Sequence, residues 1–218
     1  MIYRQKRGTM KAFIKKNLKW FILLIGLIIF LELAEDVFSK EILKADMIGY
    51  ELISSFLISD FATPITKFIT NFGGVLVLVV TTIILFISIK NKKIGLSIFA
   101  NLCIITGLNV LLKQIVQRPR PTEYRIITET GYSFPSGHSM ISMAFYGFLI
   151  YLIYKYVQNK YLKIGLIAFL SILIISIGIS RIYLGVHYTS DVMAGFCIAI
   201  SYLVLYISSV NNWIKESD

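Results

Sequence analysis

Residues 131–157 read GYSFPSGHSMISMAFYGFLIYLIYKYV, and the two halves of this stretch differ in character. From Ile141 to Val157 the chain is predominantly apolar, with Lys155, near its end, as its one charged residue. Just ahead stand Pro135, Ser136, Gly137 and His138, residue types that break helices, cap them and carry protons. A bilayer core of about 30 Å takes roughly 20 apolar residues per helix, so the apolar half predicts a membrane span. Five other stretches share its character. The expected spans are 18–34, 71–89, 94–112, 139–157, 162–180 and 189–209.

The composition agrees. Of 218 residues, 56% are hydrophobic and 16% charged, with a mean hydropathy of +0.74, where a soluble domain carries roughly 25% charged residues. The alternating ten-residue segments of a membrane β-barrel are absent, and lipid tolerates no open strand edge. The expected fold class is therefore all-α: one integral-membrane bundle of six transmembrane helices over 1–218, with a basic segment 1–19, a core 20–209 and a tail 210–218. Residues 41–61 are too polar to span. Ala45, Ile48, Leu52 and Phe56 recur there at helical spacing, which predicts an amphipathic helix on the outer surface after the first span. It would pack on the bundle or shape a lipid entrance, and the pattern does not choose. The first span has the basic lead of a signal peptide. The following ELAEDVF lacks a small-x-small cleavage site, so a retained anchor is expected. Cys103 and Cys197 fall inside spans and read as small packing residues.

Charge sets the orientation. Of the formal +10, most sits at helix ends. Segments 1–19, 90–93, 155–163 and the tail hold 14 of 22 basic residues and only 2 of 12 acidic ones. The positive-inside rule then puts both termini in the cytoplasm of a multi-pass cell-membrane protein and needs no nucleic-acid partner. The outer loop 113–137 departs from the trend, carrying Lys113, Arg118, Arg120 and Arg125 against Glu123 and Glu129. It is either a tolerated exception or a site for an anion.

Three clusters bear on that choice. In KQIVQRPRP (113–121), Pro119 and Pro121 should end the third span and let a stiff turn bring Lys113 near Arg120. Arg offers a planar fork and Lys a compact charge for phosphate oxygens; either alone could simply snorkel. In PSGH (135–138), Ser136 can cap the fourth span and Gly137 lets a ligand approach a helix N-terminus, with His138 beside it. In SRIYLGVHYTSD (180–191), His187 and Asp191 are four apart, one turn on a helix beginning near Val186, with Arg181 in the same junction. A carboxylate there fixes the imidazole tautomer and frees the other nitrogen as a nucleophile. Each cluster has an ordinary alternative as a cap or surface pair. All three fall on the expected outer face, and the chain's two histidines are both among them. That convergence favours an extracytoplasmic active site.

Together, Lys113-x6-Arg120-Pro121, Pro135-Ser136-Gly137-His138 and Ser180-Arg181-x5-His187-x3-Asp191 resemble the three signature motifs of the type-2 phosphatidic acid phosphatase superfamily, whose site vanadium-dependent haloperoxidases share. The resemblance implies a membrane lipid phosphatase with no metal and no cofactor. It implies catalysis by His187, His138 and Asp191. His187 would attack phosphorus, Asp191 would orient it, and His138 would protonate the leaving oxygen. Lys113, Arg120, Ser136, Gly137 and Arg181 would bind the phosphate. The residues alone do not say which histidine attacks; the neighbouring carboxylate is the reason to choose His187. Arg118, beside the motif, either touches a second phosphate or, the preferred reading, solvates its loop. The expected substrate is a lipid phosphate or pyrophosphate such as phosphatidate, phosphatidylglycerophosphate or undecaprenyl pyrophosphate. A lipid phosphotransferase with the same site, or a non-catalytic transporter or lipid-binding protein, is the alternative. Oligomeric state is left open.

Overall fold

The computed structural model describes the backbone of residues 2–39 and 44–215 and the side chains of 17–39 and 44–214. The described residues contain no strand. The helices are α1 (Ile2–Phe38), α2 (Lys44–Leu57), α3 (Ala62–Thr70), α4 (Val75–Ser88), α5 (Lys92–Val116), α6 (Gly137–Tyr156), α7 (Lys160–Tyr183) and α8 (Thr189–Lys215). Four of them, α5 to α8, are each long and apolar enough to cross a membrane. The expected span 18–34 lies within α1.

The expected span 71–89 is not one straight helix. At about 1.5 Å per residue the 14 residues of α4 reach only about 21 Å, short of a hydrocarbon core. α4 joins α3 through a 3-10 turn, Asn71–Gly73, and an extended Gly74. The pair, bent by 52°, is apolar enough to span only when taken together. Close packing fixes the break: a Cβ on Gly73 would lie 2.8 Å from Ile177 Cγ2 and 3.1 Å from His138 Cδ2.

α6 is the central helix, packed on α5, α7 and α8. Its Met140, Ala144, Phe145 and Phe148 are fully buried, and Tyr146 donates to Phe72 O at 2.7 Å, which ties the broken segment to it. α1 lies along α8. Gly26 makes that approach possible, because a Cβ there would meet Cys197 O at 2.8 Å. On the outside, residues such as Leu76, Ile87, Phe169 and Ile172 are exposed, as a lipid-facing surface requires.

α2 falls within the segment read as amphipathic; residues 41–43 of that segment lie outside the described residues. Ala45, Ile48, Leu52 and Phe56 are all exposed, so this stripe turns away from the protein. The inward face instead buries Asp46.

Candidate active site

Each of the three clusters lands at a helix end. α5 stops at Val116; Gln117 takes a left-handed conformation, φ 51°, and its N–H bonds Lys113 O. Arg118 to Pro121 then leave the helix, as the two prolines demand. α6 starts at Gly137 after an extended Ser136. Ser136 holds the N-cap position but does not cap with its side chain; its Oγ accepts from Ser139 Oγ at 3.0 Å instead. The Ser136 side chain therefore leaves the first amides of α6 uncapped. α7 ends in a turn closed by Gly185 at φ 68°, where a Cβ would sit 2.1 Å from Tyr124 O. α8 begins at Thr189, later than Val186, so His187 precedes the helix.

Backbone bonds draw these ends together. Ile126 N donates to Leu184 O at 3.0 Å and Ser136 N to Asp191 O at 3.0 Å. Asn109 donates to Pro135 O at 3.3 Å. A Cβ on Gly195 would press on Ser136 O at 3.0 Å, so α8 runs close beneath the start of α6.

His187 is 3% exposed. Its Nδ1 lies 3.3 Å from Asp191 Oδ2 and its Nε2 lies 3.0 Å from Arg120 Nη1. A guanidinium only donates, so Nε2 must be the acceptor. The proton is then on Nδ1, directed at Asp191, and the lone pair is on Nε2 among the cations. Burial lowers the His187 pKa to about 4, against the opposing hydrogen bond and charge of Asp191 and with help from Arg181 and Arg120. The ring is neutral near pH 7.

The cations make bonds that an anion could replace. Arg120 donates to Gly131 O through Nε, to Thr130 O through Nη2 and to Val186 O through Nη1, each at 3.0 Å. Lys113 Nζ donates to Tyr132 O. Arg181, 1% exposed, donates to Thr70 Oγ1 at 2.8 Å and to Glu129 Oε1 at 2.6 Å, while its buried Nε has no partner among the described residues. An unpaired buried guanidinium N–H is costly unless a ligand meets it. Burial would raise the Glu129 carboxyl, but the bond and charge of Arg181, with Arg120, hold it below its ordinary value. His138 lies within electrostatic reach of Arg181, His187, Arg120 and Lys113.

Arg118 corrects the sequence reading. It is not in solvent but 9% exposed, bonded at 2.7 Å to each of Asp46 Oδ2, Asp191 Oδ1 and Ser190 Oγ. Two buried carboxylates converge on that position, and only a fork of donors satisfies both. Sequence reasoning also missed Glu129, Thr70 and Asp46 as site neighbours. Glu129 had one faint signal, as one of two acids in a basic loop. Thr70 and Asp46 had none in local spacing.

Comparison with known proteins fits this arrangement. Residues 92–215, more than half of the chain and containing all three clusters, match the PAP2 superfamily. The chain is 37% identical over 95 residues to Phosphatidylglycerophosphatase B of Bacillus subtilis, which covers 43% of this chain and 46%, less than half, of that relative. It is 28% identical over 208 residues to Undecaprenyl-diphosphatase of Sulfolobus acidocaldarius, covering 89% of this chain and 93% of the relative. The crystal structure of a transmembrane PAP2 type phosphatidylglycerolphosphate phosphatase from Bacillus subtilis aligns with a TM-score of 0.76 at 26% identity, covering 88% of this chain and 97% of that one. A membrane bundle of this shape, with the three clusters joined at its helix ends, makes this chain a member of the PAP2 superfamily.

Proposed function

We propose that this chain is an integral-membrane phosphatase that removes a phosphate from a lipid phosphomonoester or pyrophosphate through a phosphohistidine. The observation that carries the proposal is the place of His187 between Asp191 on Nδ1 and the donor-only Arg120 on Nε2, from which a ring with Nδ1–H and a lone pair on Nε2 follows. Once the phosphate draws the Arg120 N–H off Nε2, that nitrogen attacks phosphorus while the bond to the leaving oxygen breaks and His138 supplies its proton. Water, deprotonated by His138, then displaces the His187 nitrogen and frees phosphate. Lys113, Arg120 and Arg181, with Ser136 and the Gly137 amide, stabilise the charge of the five-coordinate phosphorus. The unpaired Arg181 Nε supports its share of this role. Glu129 stands on Arg181 as a phosphate oxygen would, and substrate binding displaces it. With fixed cations neutralising the phosphate, the reaction proceeds without a metal.

The chain forms a single domain that crosses the membrane six times, through α1, the bent α3–α4 pair and α5 to α8. Its termini are cytoplasmic and the site lies at the extracytoplasmic edge, where a headgroup meets it while the acyl or prenyl tail stays in lipid. The exposed apolar stripe of α2 supports its lying in the interface next to that edge. The named relatives act on phosphatidylglycerophosphate and undecaprenyl diphosphate, and these, with phosphatidate, are the proposed substrate class. The test is phosphate release from purified protein in EDTA, over a panel of monophosphate and pyrophosphate lipids. Wild type is expected to release phosphate and His187→Ala to release none; undiminished release by His187→Ala overturns the mechanism.

A further inference from the structure

Arg118 and Asp46 are not needed to explain phosphate binding, yet they form a buried ion pair beside the site. Asp46 is 4% exposed, Ser190 1% and Asp191 0%. Asp191 divides its two oxygens. Oδ2 accepts from His187 Nδ1 and from Tyr188 N at 2.9 Å, and Oδ1 accepts from Arg118. Arg118 is itself shared with Asp46, and the Tyr188 ring stacks 3.9 Å from its guanidinium carbon. Asp46 then reaches across to α8, accepting from Ser190 N at 2.8 Å and from Ser190 Oγ at 3.0 Å. A carboxylate from α2 thus caps the helix that carries Asp191. The fit between α2 and α8 is tight, because a Cβ on Gly49 would lie 2.1 Å from Thr189 Oγ1.

We propose that Asp46 and Arg118 are positioning residues that set the basicity of the His187 nucleophile through Asp191. The physical reason is charge sharing. Arg118 withdraws part of the Asp191 charge from the imidazole, and Asp46 returns some of it by neutralising Arg118. The carboxylate on His187 is thereby strong enough to hold the tautomer but too weak to keep the ring protonated. A fully uncompensated Asp191 would favour imidazolium, which has no lone pair with which to attack. Other charged or titratable groups facing His187 are Arg120 and Glu129 of the α5–α6 loop, Arg181 of α7 and His138 of α6, while Lys113 of α5 acts on Arg120, Glu129, Arg181 and Asp191. None of these bonds to Asp191 among the described residues, so changes at residues 46 and 118 act on that carboxylate separately.

The inference rests on His187 being the nucleophile, but its test does not need activity. The chain has two histidines, so a 15N-imidazole spectrum in detergent micelles resolves both, and His138→Asn assigns them. Removing the Arg118 charge in Arg118→Gln should raise the His187 titration midpoint by about one unit, the low end of what a change in a neighbouring charge gives, since it acts through Asp191. Removing the Asp46 charge in Asp46→Asn should move the midpoint the other way, to lower pH. Arg118→Lys should leave it near that of wild type. A purely structural pair would move neither midpoint, or both in one direction, and either result overturns the proposal. Should Arg118→Gln not fold, the near-isosteric Asp46→Asn decides the matter by whether its midpoint falls. In parallel, Asp46→Asn is expected to lower kcat for lipid-phosphate hydrolysis about tenfold with KM little changed. If wild type releases no phosphate while the midpoints shift as stated, the functional reading fails and only the charge sharing from Asp46 and Arg118 to His187 stands.

Discussion

Replacing Glu129 with Gln removes the carboxylate that holds Arg181 and leaves the side-chain size nearly unchanged. The ion pair is short, 2.6 Å, with one partner buried and the other 30% exposed. A hydrogen bond to a charged group contributes roughly 1.5–3 kcal/mol, against about 1 for a neutral one. Solvent reaches Glu129, so the charged excess is discounted to about 1 to 1.5 kcal/mol. An anion entering the site must break this pair in wild type and a weaker amide contact in Glu129→Gln. Orthophosphate should therefore bind the variant about five- to tenfold more tightly, since 1.4 kcal/mol is a factor of ten. Two assays read it: the inhibition constant for orthophosphate in lipid-phosphate hydrolysis, and the dependence of the melting temperature on phosphate concentration. Unchanged binding would show that Glu129 does not compete for the phosphate position. Weaker binding would show that its task is to orient Arg181, and would refute the displacement step.

Other outcomes are open to direct measurement. The acid limb of kcat/KM should fall as pH drops through about 4, because His187 keeps its lone pair only above its depressed pKa; a limb centred near 6.5 would mean that the ring is not buried in the working enzyme. In intact cells, Thr128→Cys should react with a membrane-impermeant thiol reagent and Lys90→Cys should not, and the reverse pattern would put the site in the cytoplasm. Lys90 serves as the inner probe because the next residue, Asn91, caps α5 by accepting from Lys93 N and Ile94 N. Gly185→Ala should lower the melting temperature and reduce phosphate release, since it combines a positive φ costing about 1–2 kcal/mol with a collision against Tyr124 O. A variant as stable and active as wild type would show that the α7–α8 turn tolerates another conformation.

Much of this protein is legible along the chain because its signals are local. Runs of about 20 apolar residues mark α5 to α8 without any knowledge of packing. His187 and Asp191 are four residues apart, near enough in the chain to meet even though α8 begins only at Thr189 and His187 lies just ahead of it. Pro119 and Pro121 stop a helix wherever they stand. Placing Lys113, Arg120, Arg181 and both histidines at helix ends needed only these rules and the positive-inside bias. The break at Gly73 and Gly74 was less legible, because apolar composition runs through it unchanged and only the approach of α7 and His138 requires it.

What the tertiary structure alone decided is how the charges are shared. Arg118 meets Asp46 across 72 residues and Asp46 meets Ser190 across 144, distances over which no periodicity carries information. The chain path, not the spacing, turned an arginine that reads as a solvated loop residue into the buried partner of Asp191. The same holds for the proton on His187. The sequence places Asp191 beside it, but the tautomer follows from Arg120 on the opposite nitrogen, and a donor-only group can be recognised there only once the α5–α6 loop is folded onto the α7–α8 turn.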